Sequence, residues 1–262
     1  MPARLLTRAY PSRPDRPLVL GHRGASADAP ENTLAAFREA LRQGADGVEF
    51  DVRRCGSGEL VVCHDAWLDR VAGEHLEVAT TPLSRLRRLD VGRRFAERFA
   101  GEPLPTLGEV IHALPCRAVC NVELKCEQAL RDGGLAWRVS RELRSADPGQ
   151  ELILSSFHPL VLARARLFAA RTPAAVLVGA SQNVAARARA ARVMGANALH
   201  VEHRLCTKQS VARWHRQGLK VGAWTVDDPA DIERCCAAGV DVLITNQPGA
   251  TLATLDRLGV AD

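Results

Sequence analysis

The sequence predicts one α/β domain, a TIM-type (β/α)8 barrel with a small inserted subdomain, and three observations support that expectation. From residue 17 onward, short runs rich in Val, Leu and Ile alternate with longer stretches of helical period, the order expected of parallel strands joined by crossover helices. Gly44, Gly195, Gly218 and Gly239 each closely follow a helical stretch, where a left-handed cap favours the residue without a Cβ. The chain has 262 residues, close to the roughly 250 that such a barrel takes. A single domain over residues 17–262 therefore uses nearly everything, and a core of that size needs no disulfide staples.

Residues 1–16, polar and broken by Pro2, Pro11 and Pro14, read as a lead-in segment. Strand-like runs follow at 17–22, 47–52, 60–64, 118–124, 151–156, 174–179, 196–202, 219–225 and 240–245. Helical patterns occupy 33–43, 127–144, 159–170, 184–194, 207–217 and 229–238. That is one strand too many for eight staves. The second and third runs are separated only by a turn-like Gly56-Ser57-Gly58, too short for a helix, so one of the nine is expected to be a hairpin return; the pattern leaves open which. Residues 66–105 break the rhythm. They are charged and irregular and end in Pro103-Leu104-Pro105, as expected of an insertion lying over one barrel mouth, since loops of that length are usually functional or disordered.

Composition narrows the function classes. With 47% hydrophobic and 25% charged residues the chain reads as a soluble globular protein. No stretch approaches the ~20 apolar residues of a membrane span or the apolar centre of a signal peptide, so a cytoplasmic location is expected. The formal charge is +5, and all but Lys125, Lys208 and Lys220 of the 35 basic residues are arginines. They scatter along helical patterns, as at Arg38, Arg42, Arg187, Arg189 and Arg192, without interleaved aromatics; solvated helix faces explain them better than a nucleic-acid surface. The cysteines at 55, 63, 116, 120, 126, 206, 235 and 236 show no C-x-x-C pairs. Neither a zinc site nor a disulfide framework is expected, and reduced thiols are.

In a βα-barrel the reactive side chains sit at the C-terminal ends of strands, and polar residues gather there: Gly21-His22-Arg23-Gly24, Glu49-Phe50-Asp51, His64-Asp65, Glu123-Leu124-Lys125 and Trp224-Thr225. Glu49 and Asp51, two residues apart on one strand, point to the same side. Adjacent carboxylates repel unless a cation lies between them. Glu123, from another strand end, would complete an all-oxygen site whose donors favour Mg²⁺, Ca²⁺ or Mn²⁺ over zinc; the competing reading is a salt-bridge network with Arg23, Arg53 or Lys125. His22 and His64 are the acid–base candidates, because imidazole titrates near neutrality. Arg23 and Lys125 could stabilise charge on a phosphoryl group, and Trp224 could pack on a substrate's carbon skeleton. His158 and His200 lie near strand ends and could line the mouth, whereas His75, His112 and His215 read as surface or structural.

These motifs together resemble the glycerophosphodiester phosphodiesterases. The resemblance rests on Gly21-His22-Arg23-Gly24 with Pro30-Glu31-Asn32-Thr33, on Gly47-Val48-Glu49-Phe50-Asp51-Val52, and on Val61-Val62-Cys63-His64-Asp65. It continues through Leu104-Pro105-Thr106-Leu107, Asn121-Val122-Glu123-Leu124-Lys125, Ser155-Ser156-Phe157 and Ala223-Trp224-Thr225-Val226. It closes on Gly239-Val240-Asp241 and Ile244-Thr245-Asn246-Gln247-Pro248, so it runs from about Leu18 to Pro248 in family order. It implies a TIM-type barrel, metal ligands at Glu49, Asp51 and Glu123, catalytic histidines at His22 and His64, and phosphate contacts from Arg23 and Lys125. The implied reaction is metal-dependent hydrolysis of glycerophosphodiesters to glycerol 3-phosphate and an alcohol, with one divalent cation, Mg²⁺ or Ca²⁺ and with Mn²⁺ as a further candidate. The departures, Arg53-Arg54-Cys55 after Asp51, Val71-Ala72 after Leu68-Asp69-Arg70, and Phe95 where the family often has a Trp, touch no expected ligand. Competing functions are a lysophospholipase D, which would need an apolar channel in the insertion, and a catalytically silent binding barrel, which would lack a ligand or histidine.

Overall fold

The computed structural model describes residues 9–126 and 134–260. In chain order the strands are β1 (Leu18–His22), β2 (Gly47–Arg54), β3 (Leu60–Val62), β4 (Val119–Leu124), β5 (Glu151–Ser156), β6 (Ala174–Val178), β7 (Ala198–Glu202), β8 (Lys220–Trp224) and β9 (Val242–Thr245). The helices are α1 (Leu34–Arg42), α2 (Asp69–Ala72), α3 (Leu83–Leu86), α4 (Leu107–Ala113), α5 (Leu135–Glu142), α6 (Pro159–Phe168), α7 (Val184–Val193), α8 (Lys208–Arg216), α9 (Pro229–Ala238) and α10 (Pro248–Arg257). The sheet order is β1-β9-β8-β7-β6-β5-β4-β2, and β1 pairs with β2, so the parallel strands close into a barrel. The ninth strand is the hairpin return: β3 runs antiparallel to β2, with Val52 opposite Val62 and Arg54 opposite Leu60.

Local chemistry fixes the βα repeats. Thr33 caps α1 by accepting from the Ala36 amide, Asn183 and Thr207 do the same for α7 and α8, and Pro159, Pro229 and Pro248 occupy first-turn positions where no amide hydrogen is needed. Gly44, Gly195, Gly218 and Gly239 follow their helices at φ 93, 69, 77 and 82°, the left-handed region expected of them. Every strand but β5 differs from its expected run by one or two residues at one end or both. Helices α4 and α10 were not anticipated. Of the helical pattern over 127–144, residues 127–133 lie outside the described residues, and the remainder is α5 and a short 3₁₀ turn.

The core has two layers. Phe37, Phe50, Val122, Leu135, Val161, Trp214 and Leu243 fill the shell between barrel and helices. Inside the barrel, Leu18, Leu20, Val119, Ile153, Ala198, Val242 and Ile244 form a floor, closed by Tyr10 from the lead-in segment. Each such large apolar side chain contributes roughly 1.5–3 kcal/mol by leaving water. Above the floor lies a polar layer: His200 is fully buried, 2.6 Å from the Tyr10 hydroxyl and 3.4 Å from Asn121 Nδ2. Gly222 makes room for it, since a Cβ there would lie 2.6 Å from His200 Cδ2. His200 therefore packs beneath the mouth rather than lining it, which corrects the sequence expectation: on β7 its side chain points into the barrel.

The inserted subdomain is not irregular throughout. It carries α2 and α3 and has a core of its own, in which Leu68, Val78, Leu86, Leu89, Val91 and Leu104 pack on Val61 and Cys55 of the β2–β3 hairpin. Backbone bonds from Gly56 to Thr81 and from Val62 to Pro105, both 2.8 Å, tie it to that hairpin. No helix among the described residues is long and apolar enough to cross a membrane.

Candidate active site

The register of the barrel decides which side chains meet. β1 and β2 pair His22 with Glu49, and β2 and β4 pair Asp51 with Glu123. His22 ends β1, Asp51 and Glu123 lie in the C-terminal halves of β2 and β4, and Glu49, two residues before Asp51, shares its face. Glu49, Asp51 and Glu123, all buried, each present a carboxylate oxygen within 4.8 Å of the others. The remaining expected residues surround this triad. Lys125 Nζ lies 3.1 Å from Asp51 and 2.8 Å from Glu123. Arg23 Nε lies 3.4 Å from Asp51, and its backbone amide donates to Glu49 over 3.1 Å. His22 Nε2 is 4.0 Å from Glu49 Oε2. Arg53, by contrast, turns away and donates to the His64 carbonyl at 2.6 and 2.8 Å.

A tight loop after β1 makes the arrangement possible. Arg23 and Asn32 both adopt left-handed backbone conformations, at φ 55 and 58°, which non-glycine residues rarely do outside sites that over-determine them. The Asn32 amide bonds the Arg23 carbonyl at 2.9 Å. Its side chain donates to Asp51 Oδ2 at 2.8 Å and accepts from the Asp51 amide at 3.2 Å.

Electrostatics mark the triad as short of positive charge. Burial, reinforced by Asp51 and Glu123, raises the Glu49 carboxyl well above its ordinary range. Burial and Asp51 push Glu123 up to about 7. Burial opposes ionisation of Asp51 too, but Lys125 and Arg23 hold it well below the usual carboxylate range. Lys125 bonds Glu123 as well, yet the two basic side chains bring only Asp51 below its ordinary range, and Glu49 and Glu123 stay above theirs. Three buried oxygen donors with unmet negative charge fit a hard divalent cation, which prefers carboxylates and reverses these shifts. The salt-bridge reading accounts for Asp51 but leaves Glu49 and Glu123 under repulsion.

The histidines are held from outside the triad. His22 Nδ1 lies 2.7 Å from Asn246 Oδ1, and His64 Nδ1 lies 2.7 Å from Asp65 Oδ1. Burial and the adjacent Arg23 lower His22 to about 4. Burial also lowers His64, against the pull of Asp51, with Lys125 and Arg23 adding to the depression. Trp224 closes the far side: its indole N–H donates to the His200 carbonyl at 2.9 Å, and its ring meets Phe157 edge-on at 5.6 Å between centroids. Lys125 Nζ sits 5.9 Å above the same Phe157 ring.

His22, Arg23, Glu49, Asp51, His64, Glu123, Lys125 and Trp224 lie at this one barrel end, whereas His200 packs beneath it. Sequence reasoning gave no role to Asn32, Glu31, Asp65, Arg70, Phe157, Asp227 or Asn246, which bind the expected residues or neighbour them. Their signal was present only as motif letters, such as Asn246 following the β9 strand, because a partner chosen by tertiary contact has no spacing to betray it.

Comparison with known proteins agrees with this geometry. Residues 22–250 match the model of the glycerophosphoryl diester phosphodiesterase family. A glycerophosphodiester phosphodiesterase of Caldanaerobacter subterraneus subsp. tengcongensis is 34% identical over 92% of this chain and 98% of its own. A probable glycerophosphodiester phosphodiesterase 1 of Mycobacterium tuberculosis is 34% identical over 92% of this chain and 93% of its own. Among solved structures, an Oleispira antarctica phosphodiesterase in complex with the product sn-glycerol-3-phosphate superposes with a TM-score of 0.85, at 29% identity, covering 92% of this chain and 97% of that one.

Proposed function

Since this chain belongs to the glycerophosphoryl diester phosphodiesterase family, we propose that His22, His64, Arg23, Lys125 and the carboxylates Glu49, Asp51 and Glu123 carry out its reaction. The chain is a phosphoric diester hydrolase that converts glycerophosphodiesters to glycerol 3-phosphate and an alcohol. The observation that carries the residue assignment is the convergence of three buried carboxylates within 4.8 Å, between two imidazoles and two basic side chains.

Glu49, Asp51 and Glu123 would hold one divalent cation, Mg²⁺ or Ca²⁺ with Mn²⁺ as a further candidate, which supplies Lewis-acid polarisation of the phosphodiester. Arg23 and Lys125 stabilise the charge that grows on the phosphoryl oxygens. His22 and His64 divide the two proton transfers: one takes the proton of the attacking oxygen and the other protonates the departing alkoxide. Trp224 and Phe157 offer apolar surface to the glycerol carbons. The aliphatic side chains of the insertion pack into its own core, while Trp67 and Phe95 stay exposed; the consumed aliphatics favour small soluble diesters over long lipid chains. Eight free thiols suit a reducing compartment such as the cytoplasm.

The test is hydrolysis of glycerophosphocholine and glycerophosphoethanolamine, with lysophosphatidylcholine as the contrasting substrate. Chelation with EDTA is expected to abolish turnover and a divalent cation to restore it. His22→Ala and His64→Ala should each lose about 10²–10⁴-fold in kcat with the fold intact by circular dichroism. Near-parental activity in either variant would overturn its assignment.

A further inference from the structure

The structure points to two further positioning residues for the reaction, Asn246 and Asp227. We propose that together they hold the His22 imidazole so that Nδ1 is the donor to Asn246 and Nε2, turned toward the carboxylate triad, is the nitrogen that takes up and gives back a proton. This rests on His22 as a proton-transfer group, and it assigns the direction of each hydrogen bond behind it.

Asn246 follows β9 directly. Its side-chain oxygen lies 2.7 Å from His22 Nδ1 and accepts from Ser26 Oγ, also at 2.7 Å. Its side-chain nitrogen donates to Asp227 Oδ2 at 2.6 Å. The other Asp227 oxygen accepts from the Asn246 backbone amide at 2.7 Å and from the Thr245 hydroxyl at 2.9 Å. The loop that carries Asp227 is itself stitched to β9, through the Val226 amide and the Ile244 carbonyl at 2.9 Å.

The two ends of a carboxamide have nearly the same shape, so hydrogen-bond partners decide which way it points. A carboxylate only accepts, so Asp227 must face the NH₂ end of Asn246. The carbonyl end is then left for His22 and Ser26. A carbonyl also only accepts, so His22 must offer it a hydrogen, which places the single proton of the neutral ring on Nδ1. The lone pair falls on Nε2, the nitrogen 4.0 Å from Glu49. With the amide reversed, its NH₂ would donate to Nδ1 and the ring proton would move to Nε2. His22 could then accept no proton on the side where the substrate reacts. Asp227 sets the polarity of the chain although it does not touch the ring.

Two readouts test this. In uniformly ¹⁵N-histidine-labelled full-length protein, long-range ¹H–¹⁵N correlation spectra at neutral pH should show His22 with a protonated Nδ1 and a bare Nε2, with and without Mg²⁺. Kinetically, Asn246→Leu should lower kcat about 10–100-fold, the range expected when the partner that orients a functional imidazole is lost, while KM stays within about twofold. The reciprocal double variant Asp227→Asn/Asn246→Asp keeps a donor and an acceptor at every link and should recover most of that loss. Asn246→Asp alone sets two carboxylates against each other and should not. A bare Nδ1 in the parental spectrum, with the ring proton on Nε2, would overturn the proposal. So would a folded double variant no faster than Asn246→Leu. Parental inactivity against glycerophosphocholine with every divalent cation would sink the phosphodiesterase reading instead, and the parental spectrum would still decide the tautomer.

Discussion

His22 and His64 face one carboxylate triad, but the chain supports them by different means. His22 is held by the barrel alone: its partner Asn246 is a neutral amide at the end of β9, backed by Asp227 in the loop after β8. His64 lies beyond the end of β3 and is held by a charged relay that runs through the insertion. Asp65 accepts from its Nδ1, and Arg70 of α2 binds Asp65 at 2.8 Å while gripping Glu31 at 2.6 and 2.7 Å. Glu31 in turn accepts from Arg23 at 3.0 Å. One guanidinium of the insertion thus steadies both the second imidazole and the arginine nearest the triad. One histidine is fixed by strand register, whereas the other, just past β3, is fixed by ion pairs that reach into the insertion, and such pairs bend more easily and respond to salt. The lesson is that the inserted subdomain does more than cover the mouth. It completes the site.

The comparison breaks most sharply at Asp65. Asp65→Ala frees the His64 ring to rotate and to exchange tautomers, and kcat should fall by about 10²-fold, as for other carboxylates that orient an imidazole. Arg70→Ala acts one link further away and should lower kcat/KM about tenfold. Double-mutant cycles then separate the two supports. Asp65→Ala and Arg70→Ala lie on one relay, so the double variant should lose far less than the product of the single losses. Asn246→Leu and Arg70→Ala lie on different supports, so their losses should multiply. Full coupling of Asn246 with Arg70 would show that the two histidines are held as one unit.

How legible each support was in the sequence follows from the same physics. The strand order, the four glycine caps and the two-residue spacing of Glu49 and Asp51 are local signals, and all appear where expected. The meeting of Glu123 with Asp51 needed only parallel register, so strand-end position sufficed. The hairpin could not be separated from a ninth stave, because a short apolar run such as β3 reads alike in both. The relay through Arg70, Asp65 and Glu31 joins the insertion to the loop after β1, across up to 39 positions, and the insertion carries no hydrophobic period. Its geometry is set by the insertion's small core, which periodicity does not register. His200 was misplaced for a related reason. Its strand assignment was right, but nothing in the sequence said that Gly222 on the neighbouring strand and Tyr10 of the lead-in would admit an imidazole to the interior.

That third imidazole extends the comparison beneath the site, where no cation is needed to explain it. Burial lowers His200 to about 4 from 6.5, and Tyr10 and Asn121 are the polar side chains bonded to it. As pH falls, the unfolded chain takes up a proton at this residue first. Its contribution to stability is therefore complete above pH 6.5, declines between 6.5 and 4, and changes no further below 4. The full difference is about 3 kcal/mol. Glu49 and Glu123, raised by burial, gain stability as pH falls, whereas Asp51, held low, loses it, so a single stability curve would mix the trends. A difference curve isolates His200. His200→Gln keeps an acceptor for the Tyr10 hydroxyl but cannot titrate. Urea unfolding of the metal-free parental and variant proteins should give a parental advantage that shrinks by about 3 kcal/mol between those two pH values. A constant advantage would mean that His200 is neutral in both states across that range, and that the polar layer under the site takes no part in acid unfolding.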